Sequence, residues 1–172
     1  MEWLPALVLV HIVGAVLGAG GATFAEINLV RALRDGEISP DESELMKGAY
    51  AVLRLGFFLL VLSGFAFLLY FRLMDKTEFL YSPEFWAKLT IIGALSVNAI
   101  LLQTRKINIL WGSAISLTSW YAALILGVLR KMDYPYFATL LVYVISVVVM
   151  FFIVRAVHKK FCPPHTTNQK TS

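Results

Sequence analysis

The stretch from residue 3 to residue 25 contains no charged side chain and consists mainly of glycine, alanine and aliphatic residues. A run of about 20 such residues is long enough to cross the hydrocarbon core of a bilayer as an α-helix. Because lipid offers no hydrogen-bond partners to the backbone, a segment of this kind has to satisfy its own amide groups. This stretch therefore predicts a membrane protein built from helices.

Four further uncharged apolar runs follow the first, and they predict an all-α membrane bundle of five transmembrane helices. Hydrophobic residues make up 59% of the chain and charged residues 15%, whereas soluble domains have about 45–50% and about 25%. We expect one five-helix domain over residues 1–158 and a polar, disordered cytoplasmic tail over residues 159–172. The four later runs are residues 55–71, 89–104, 107–129 and 134–154.

Two Ser-Pro pairs mark the expected starts of the second and third helices. Ser39 has the character of an N-cap, Pro40 fits the first helical position, and Glu42 is placed to close a capping box. Ser82 and Pro83 repeat this arrangement before the third apolar run. The second helix is therefore expected to begin in water near the cap and to enter the membrane later.

The distribution of Lys and Arg favours an N-out, C-in orientation. Of the 15 basic residues, ten fall in segments that this orientation places inside and five in segments that it places outside. The net charge of +4 suits a basic cytoplasmic face. Because the basic residues are not clustered on one soluble surface, the sequence does not indicate nucleic-acid binding.

His11 is the candidate centre of a cofactor site. At helical spacing it shares a face with Gly14 and Gly18, and histidine is a common axial ligand of haem iron. Glycines would leave room for a flat macrocycle, and a lysine at similar depth would pair with a propionate. The cofactor expected is haem b or a related porphyrin, and the candidate residues are His11, Gly14, Gly18, Lys88, Trp120 and Tyr121.

Other interpretations of the same residues stay open. A histidine inside a helix bundle also serves as a hydrogen-bonding bridge between helices, and a glycine face lets a neighbouring helix approach closely. Trp and Tyr are common at membrane interfaces. The site around His11 is therefore a haem or porphyrin site, a structural contact or a site for another ligand.

A second polar layer is expected near the other end of the bundle, where Glu26 and Arg54 lie at matching depth on consecutive antiparallel helices. An ion pair there would neutralise both charges and fix the bundle. Ionisable residues at membrane depth are also candidates for a proton or ion relay. Nearer the C-terminus, His158, Cys162 and His165 provide only three ligands, so we predict no metal site there.

Four segments resemble a group of small bacterial inner-membrane proteins that has no assigned reaction. The N-terminal membrane histidine and the W-x-K-L pattern on the third predicted helix also resemble, more loosely, membrane protoporphyrinogen oxidases and the copper-resistance protein D family. These resemblances imply an inner-membrane location, with His11 as a haem ligand and Lys88 as a porphyrin contact. The four segments are HIVGAVLGAGGAT from His11, RDGEISP from Arg34, SPEFWAKL from Ser82 and SLTSWY from Ser116.

Three functions are therefore expected from the sequence. The first is haem or porphyrin binding with a redox role. The second is a small transporter that uses Glu26, Arg54 and Lys88 along a path. The third is an accessory subunit with a mainly structural role, whose partners are the bilayer and either a second copy of the chain or another subunit of a membrane complex.

Overall fold

The computed structural model describes residues 3–34, 39–129 and 135–161, without the side chains of residues 33, 77 and 79. The described residues form five long α-helices, each long and apolar enough to cross a membrane. This confirms the predicted all-α, multi-pass architecture. The elements are α1 (Trp3–Arg34), α2 (Pro40–Leu73), a short 3-10 helix (Thr77–Tyr81), α3 (Pro83–Gln103), α4 (Ile109–Val128) and α5 (Tyr136–Phe161).

The starts of the middle helices confirm the predicted caps. The Ser39 hydroxyl accepts a hydrogen bond from the Glu42 amide, and the Glu42 carboxylate accepts one from the Ser39 amide, which completes the capping box. Ser82 caps α3 through the amide of Phe85. Asn108, which was not predicted as a cap, caps α4 through the amide of Leu110.

Helix α2 contains 34 residues and is about 50 Å long at about 1.5 Å per residue. It is therefore longer than the hydrocarbon core of a bilayer, which is about 30 Å thick. Helix α5 continues past the expected domain boundary at residue 158 and ends at Phe161. The tail from residue 162 onward lies outside the described residues.

The helices form a hairpin joined to a three-helix unit. Helix α4 packs against α3 and α5, and α1 joins this unit through contacts with α4 and α5. Within the described ranges, the backbone of α2 lies close only to α1 and the short 3-10 helix, and its Leu60 side chain belongs to the core shared with α3 and α4. Because consecutive helices run in opposite directions, the bundle has a His11 end, where α1 begins, and a Glu26 end, where α1 finishes.

Small residues of α1 make these contacts close. A Cβ atom added to Gly56 of α2 would lie 2.5 Å from the backbone nitrogen of Gly18 and 2.8 Å from the carbonyl oxygen of Gly14. Only glycine allows two helix backbones to approach this closely. Next to this contact, the buried core contains alanines of α1, Leu60 of α2 and Trp120 of α4.

Candidate functional site

His11 contacts α2 through Ser63. Its Nδ1 atom lies 2.8 Å from the Ser63 hydroxyl oxygen, and the Ser63 hydroxyl donates to the carbonyl oxygen of Leu59. Because that hydroxyl has a single hydrogen, it accepts from His11, so the Nδ1 atom carries the proton. The ring also makes an edge contact with Phe67, with centroids 5.4 Å apart. His11 therefore bridges α1 and α2.

The arrangement at His11 recurs at three other helix contacts. In each, a side chain on one helix donates to a Ser or Thr hydroxyl that itself donates to a carbonyl four residues earlier in its own helix. The hydroxyl's only hydrogen is therefore already used. The three pairs are Tyr121 with Thr23, at 3.0 Å, Tyr136 with Thr90, at 3.0 Å, and Tyr143 with Ser119, at 2.8 Å.

Every helix–helix contact in the described part of the chain contains one such polar link. The hydroxyl pairs join α1 to α2, α1 to α4, α3 to α5 and α4 to α5. The Asn98 side-chain amide donates to the Gly112 carbonyl oxygen at 2.9 Å and joins α3 to α4. Glu26 joins α1 to α5 through His158. These side chains hold the bundle together.

The glycine face next to His11 does not leave room for a haem. Backbone atoms of α2 cover Gly14, where an added Cβ would lie 2.7 Å from the Leu60 nitrogen. The indole ring of Trp120 covers Gly18. The space that the sequence assigned to a macrocycle is therefore occupied by protein, and the face serves helix packing instead. The residues present do not fit a haem in this position.

The other predicted site residues do not form one cluster. Lys88 is half-buried on α3 and lies within electrostatic range of His11. Tyr121 instead binds Thr23, which is 12 residues beyond His11 and thus about 18 Å further along α1. Trp120 is completely buried between these two levels, and its indole nitrogen has no partner among the described residues.

Glu26 pairs with His158, and the predicted Glu26–Arg54 pair is wrong. The Glu26 Oε1 atom lies 2.8 Å from the His158 Nε2 atom, and the two side chains are only 15% and 12% exposed. Arg54 is exposed. The reason lies in α2, where Gly56 faces α1: a residue two positions earlier is rotated by about 200° and points away.

A small cavity adjoins Glu26 between α1, α2, α3 and α4. Its volume is about 40 Å³, and its polar lining comprises Glu26, Tyr50, Ser113 and Ser116. Tyr50, Ser113 and the pairing of His158 with Glu26 were not predicted from the sequence. Depth along antiparallel helices was the available signal, since all of these residues lie toward the Glu26 end.

An open apolar groove of about 440 Å³ separates α1 from the first turns of α2. Gly20 and Gly48 line it, and a Cβ atom at either position would meet no other atom within 4 Å. These glycines differ from Gly14 and Gly18, which are covered. The groove lies toward the Glu26 end and is not connected with His11.

Comparison of the chain with protein-family models, curated proteins and solved structures finds no match. The resemblances noted from the sequence therefore stay predictions.

Proposed function

We propose that this protein is an accessory subunit of a membrane complex in the bacterial inner membrane, with a mainly structural role. The observation that carries the proposal is the position of α2, whose backbone, among the described residues, packs closely only against α1 and the short 3-10 helix. Helix α2 has 34 residues and packs against α1 along one side, so the rest of its surface is accessible to another protein. The orientation proposed is N-out and C-in.

The use of the polar residues supports this proposal. His11, Tyr121 and Glu26 each form a link between helices. In a bilayer, where polar links and close packing drive helix association, such contacts stabilise a subunit without serving a substrate. A transport path from one end to the other is disfavoured because buried Trp120 fills the section between His11 and Glu26.

The unpartnered side of α2 is large and apolar. Residues at helical spacing along it are all more than half exposed, so they form one continuous stripe. Bulky Leu and Phe side chains on such a stripe suit packing against a second transmembrane helix. The stripe consists of Leu55, Phe58, Leu62, Phe65 and Leu69.

Site-specific photo-crosslinking in intact cells tests the proposal. A photoreactive residue at Leu62 or Phe65 should give a discrete protein adduct, either with a second copy of the chain or with another membrane subunit. Val142 and Ile145 of α5 are matched controls, since they are similarly exposed on a helix that already contacts three others. Adducts of the same kind and yield at all four positions would contradict a dedicated partner face on α2.

Haem or porphyrin binding through His11 is the competing proposal from the sequence. The proton on the His11 Nδ1 atom leaves the Nε2 atom as the acceptor in the neutral ring, which is the state of an axial ligand. The covered glycine face weighs against it. The visible spectrum of the purified protein separates the two proposals.

A further inference from the structure

We propose that Glu26 and His158 form a proton-binding site within the membrane-spanning bundle, hydrated by the adjacent cavity and open to the Glu26 end only. The proposal goes beyond the accessory role and does not depend on it, because it concerns residues inside the bundle. It rests on the geometry of the pair, on the polar lining of the cavity and on the packing that closes the other side.

The pair consists of an acid and a base that share one hydrogen bond. The Glu26 Oε1 atom and the His158 Nε2 atom are 2.8 Å apart, and both side chains are nearly enclosed. When His158 is an imidazolium and Glu26 is a carboxylate, the pair has no net charge. Loss of a proton from His158 leaves a net charge of −1, and uptake of a proton by Glu26 gives +1.

Few other charges compensate these changes. Tyr50 of α2 interacts electrostatically with Glu26, and α5 contributes His158. The cavity lining from α3 and α4 contains Leu102, serine hydroxyls and aliphatic side chains and no titratable group. The basic side chains at this end are exposed, namely Arg31, Arg34, Lys47, Arg54, Arg105, Lys106, Arg155, Lys159 and Lys160. We therefore infer that the charge of this enclosed site changes through binding and release of a proton.

The cavity provides places for water. Its volume of about 40 Å³ exceeds the roughly 10–15 Å³ that one water needs. Ser113 and Ser116 contribute hydroxyl groups to its lining, whereas the Ser119 hydroxyl on the same helix donates to the Ile115 carbonyl oxygen. Two hydroxyls, a phenol and a carboxylate around one cavity meet the need of a bound water for several polar partners.

Access from the His11 end is closed. Trp120 is completely buried and lies on Gly18, between the cavity and the His11 level. The alanines and leucines on either side of this contact form the dry core. The geometry therefore indicates a site that binds and releases protons at one end, and not a conducting path.

Nuclear magnetic resonance of ¹⁵N-histidine-labelled full-length protein in lipid nanodiscs tests the pairing. His11→Gln and His165→Gln variants assign the His158 signal, which is then followed against pH. In Glu26→Gln, the midpoint of the His158 titration should differ from that of the wild-type protein, because a neighbouring charge has been removed. Glu44→Gln is the matched control, since Glu44 is a 78% exposed carboxylate on α2, and it should leave the midpoint in place.

An unchanged His158 midpoint in a folded Glu26→Gln protein would overturn the proposal. If that variant does not fold, infrared titration of the Glu26 carboxyl band in wild-type protein and in His158→Gln gives the same information. A band that titrates identically in both proteins overturns the pairing as well.

Filling the cavity tests the hydration. The double variant Ser113→Val, Ser116→Val should slow exchange of the His158 imidazole proton with water at least tenfold, while Ser146→Val, on an exposed hydroxyl of α5, should not. An unchanged exchange rate in the double variant would show that the cavity does not supply the site. Proton leakage across vesicles containing the protein, abolished by Glu26→Gln, would contradict access from one end only.

Discussion

The indole ring of Trp120 lies directly on Gly18, in the middle of the bundle, with no space for a side chain between them. The ring belongs to α4 and the glycine to α1, so this contact locks the α1–α2 hairpin onto the three-helix unit. The backbone of α2 at Gly56 also packs against Gly18. One glycine therefore serves two interfaces, which explains why the glycine face holds helices and not a cofactor.

Gly18→Ala should destabilise the protein by about 1–3 kcal/mol, the usual cost of overpacking a filled core. The added methyl group meets the rigid indole of Trp120. Gly20→Ala is the matched control on the same helix, because its methyl group enters open space and should change stability by less than about 0.5 kcal/mol. Unfolding in mixed micelles measures both, and equal losses would contradict the Trp120 contact.

Glu26 should be energetically coupled to His158 and not to Arg54. A double-mutant cycle with Glu26→Gln and His158→Gln should give a coupling of about 0.5–3 kcal/mol, as for residues in direct contact. The parallel cycle with Arg54→Gln should be additive within about 0.5 kcal/mol, because Arg54 is exposed. Coupling to Arg54 as large as that to His158 would show that the carboxylate faces α2 instead.

Protein purified from haem-supplemented cells should show no Soret band, because α2 and Trp120 fill the face beside His11. His11→Ala should instead weaken the link between α1 and α2 by about 1–2 kcal/mol, the scale of a hydrogen bond between membrane helices. Ser63→Ala removes the partner, and the two losses should not add, since both break one bond. A Soret band that His11→Ala abolishes would restore the haem proposal.

Reporter fusions test the proposed orientation. Fusions at Arg34 and Lys160 should read cytoplasmic and a fusion at Lys76 periplasmic, because the Glu26 end carries most of the basic residues. Lys76 lies between Arg34 and Lys160 in the sequence, so the three reporter readings together depend on how many times the chain crosses the membrane. A periplasmic reading at Lys160 would contradict either the orientation or the five crossings.

Local features of the sequence were sufficient for the helices themselves. Uncharged runs predict membrane helices because lipid requires every backbone amide to bond within its own segment. The caps at Ser39 and Ser82 followed from the same kind of local chemistry, since a side-chain oxygen satisfies an amide three residues away. Lys88 lies within electrostatic range of His11, in agreement with their matched depths, whereas Tyr121, which the sequence assigned to the His11 site, binds Thr23 about 18 Å further along α1.

The partners of these residues depended on how the helices rotate and which ones become neighbours. Arg54 was the partner expected for Glu26. The rotation of α2 that brings Gly56 onto Gly18 turns Arg54 outward and leaves the carboxylate to His158, 132 residues away in the chain. The same rotation brings Ser63 to His11 and closes the glycine face. The sequence by itself determined the apolar helices, because length and hydrophobicity are properties of single segments. The tertiary structure decided which polar residues meet, Tyr121 with Thr23 among them, because glycine contacts between helices set their rotation.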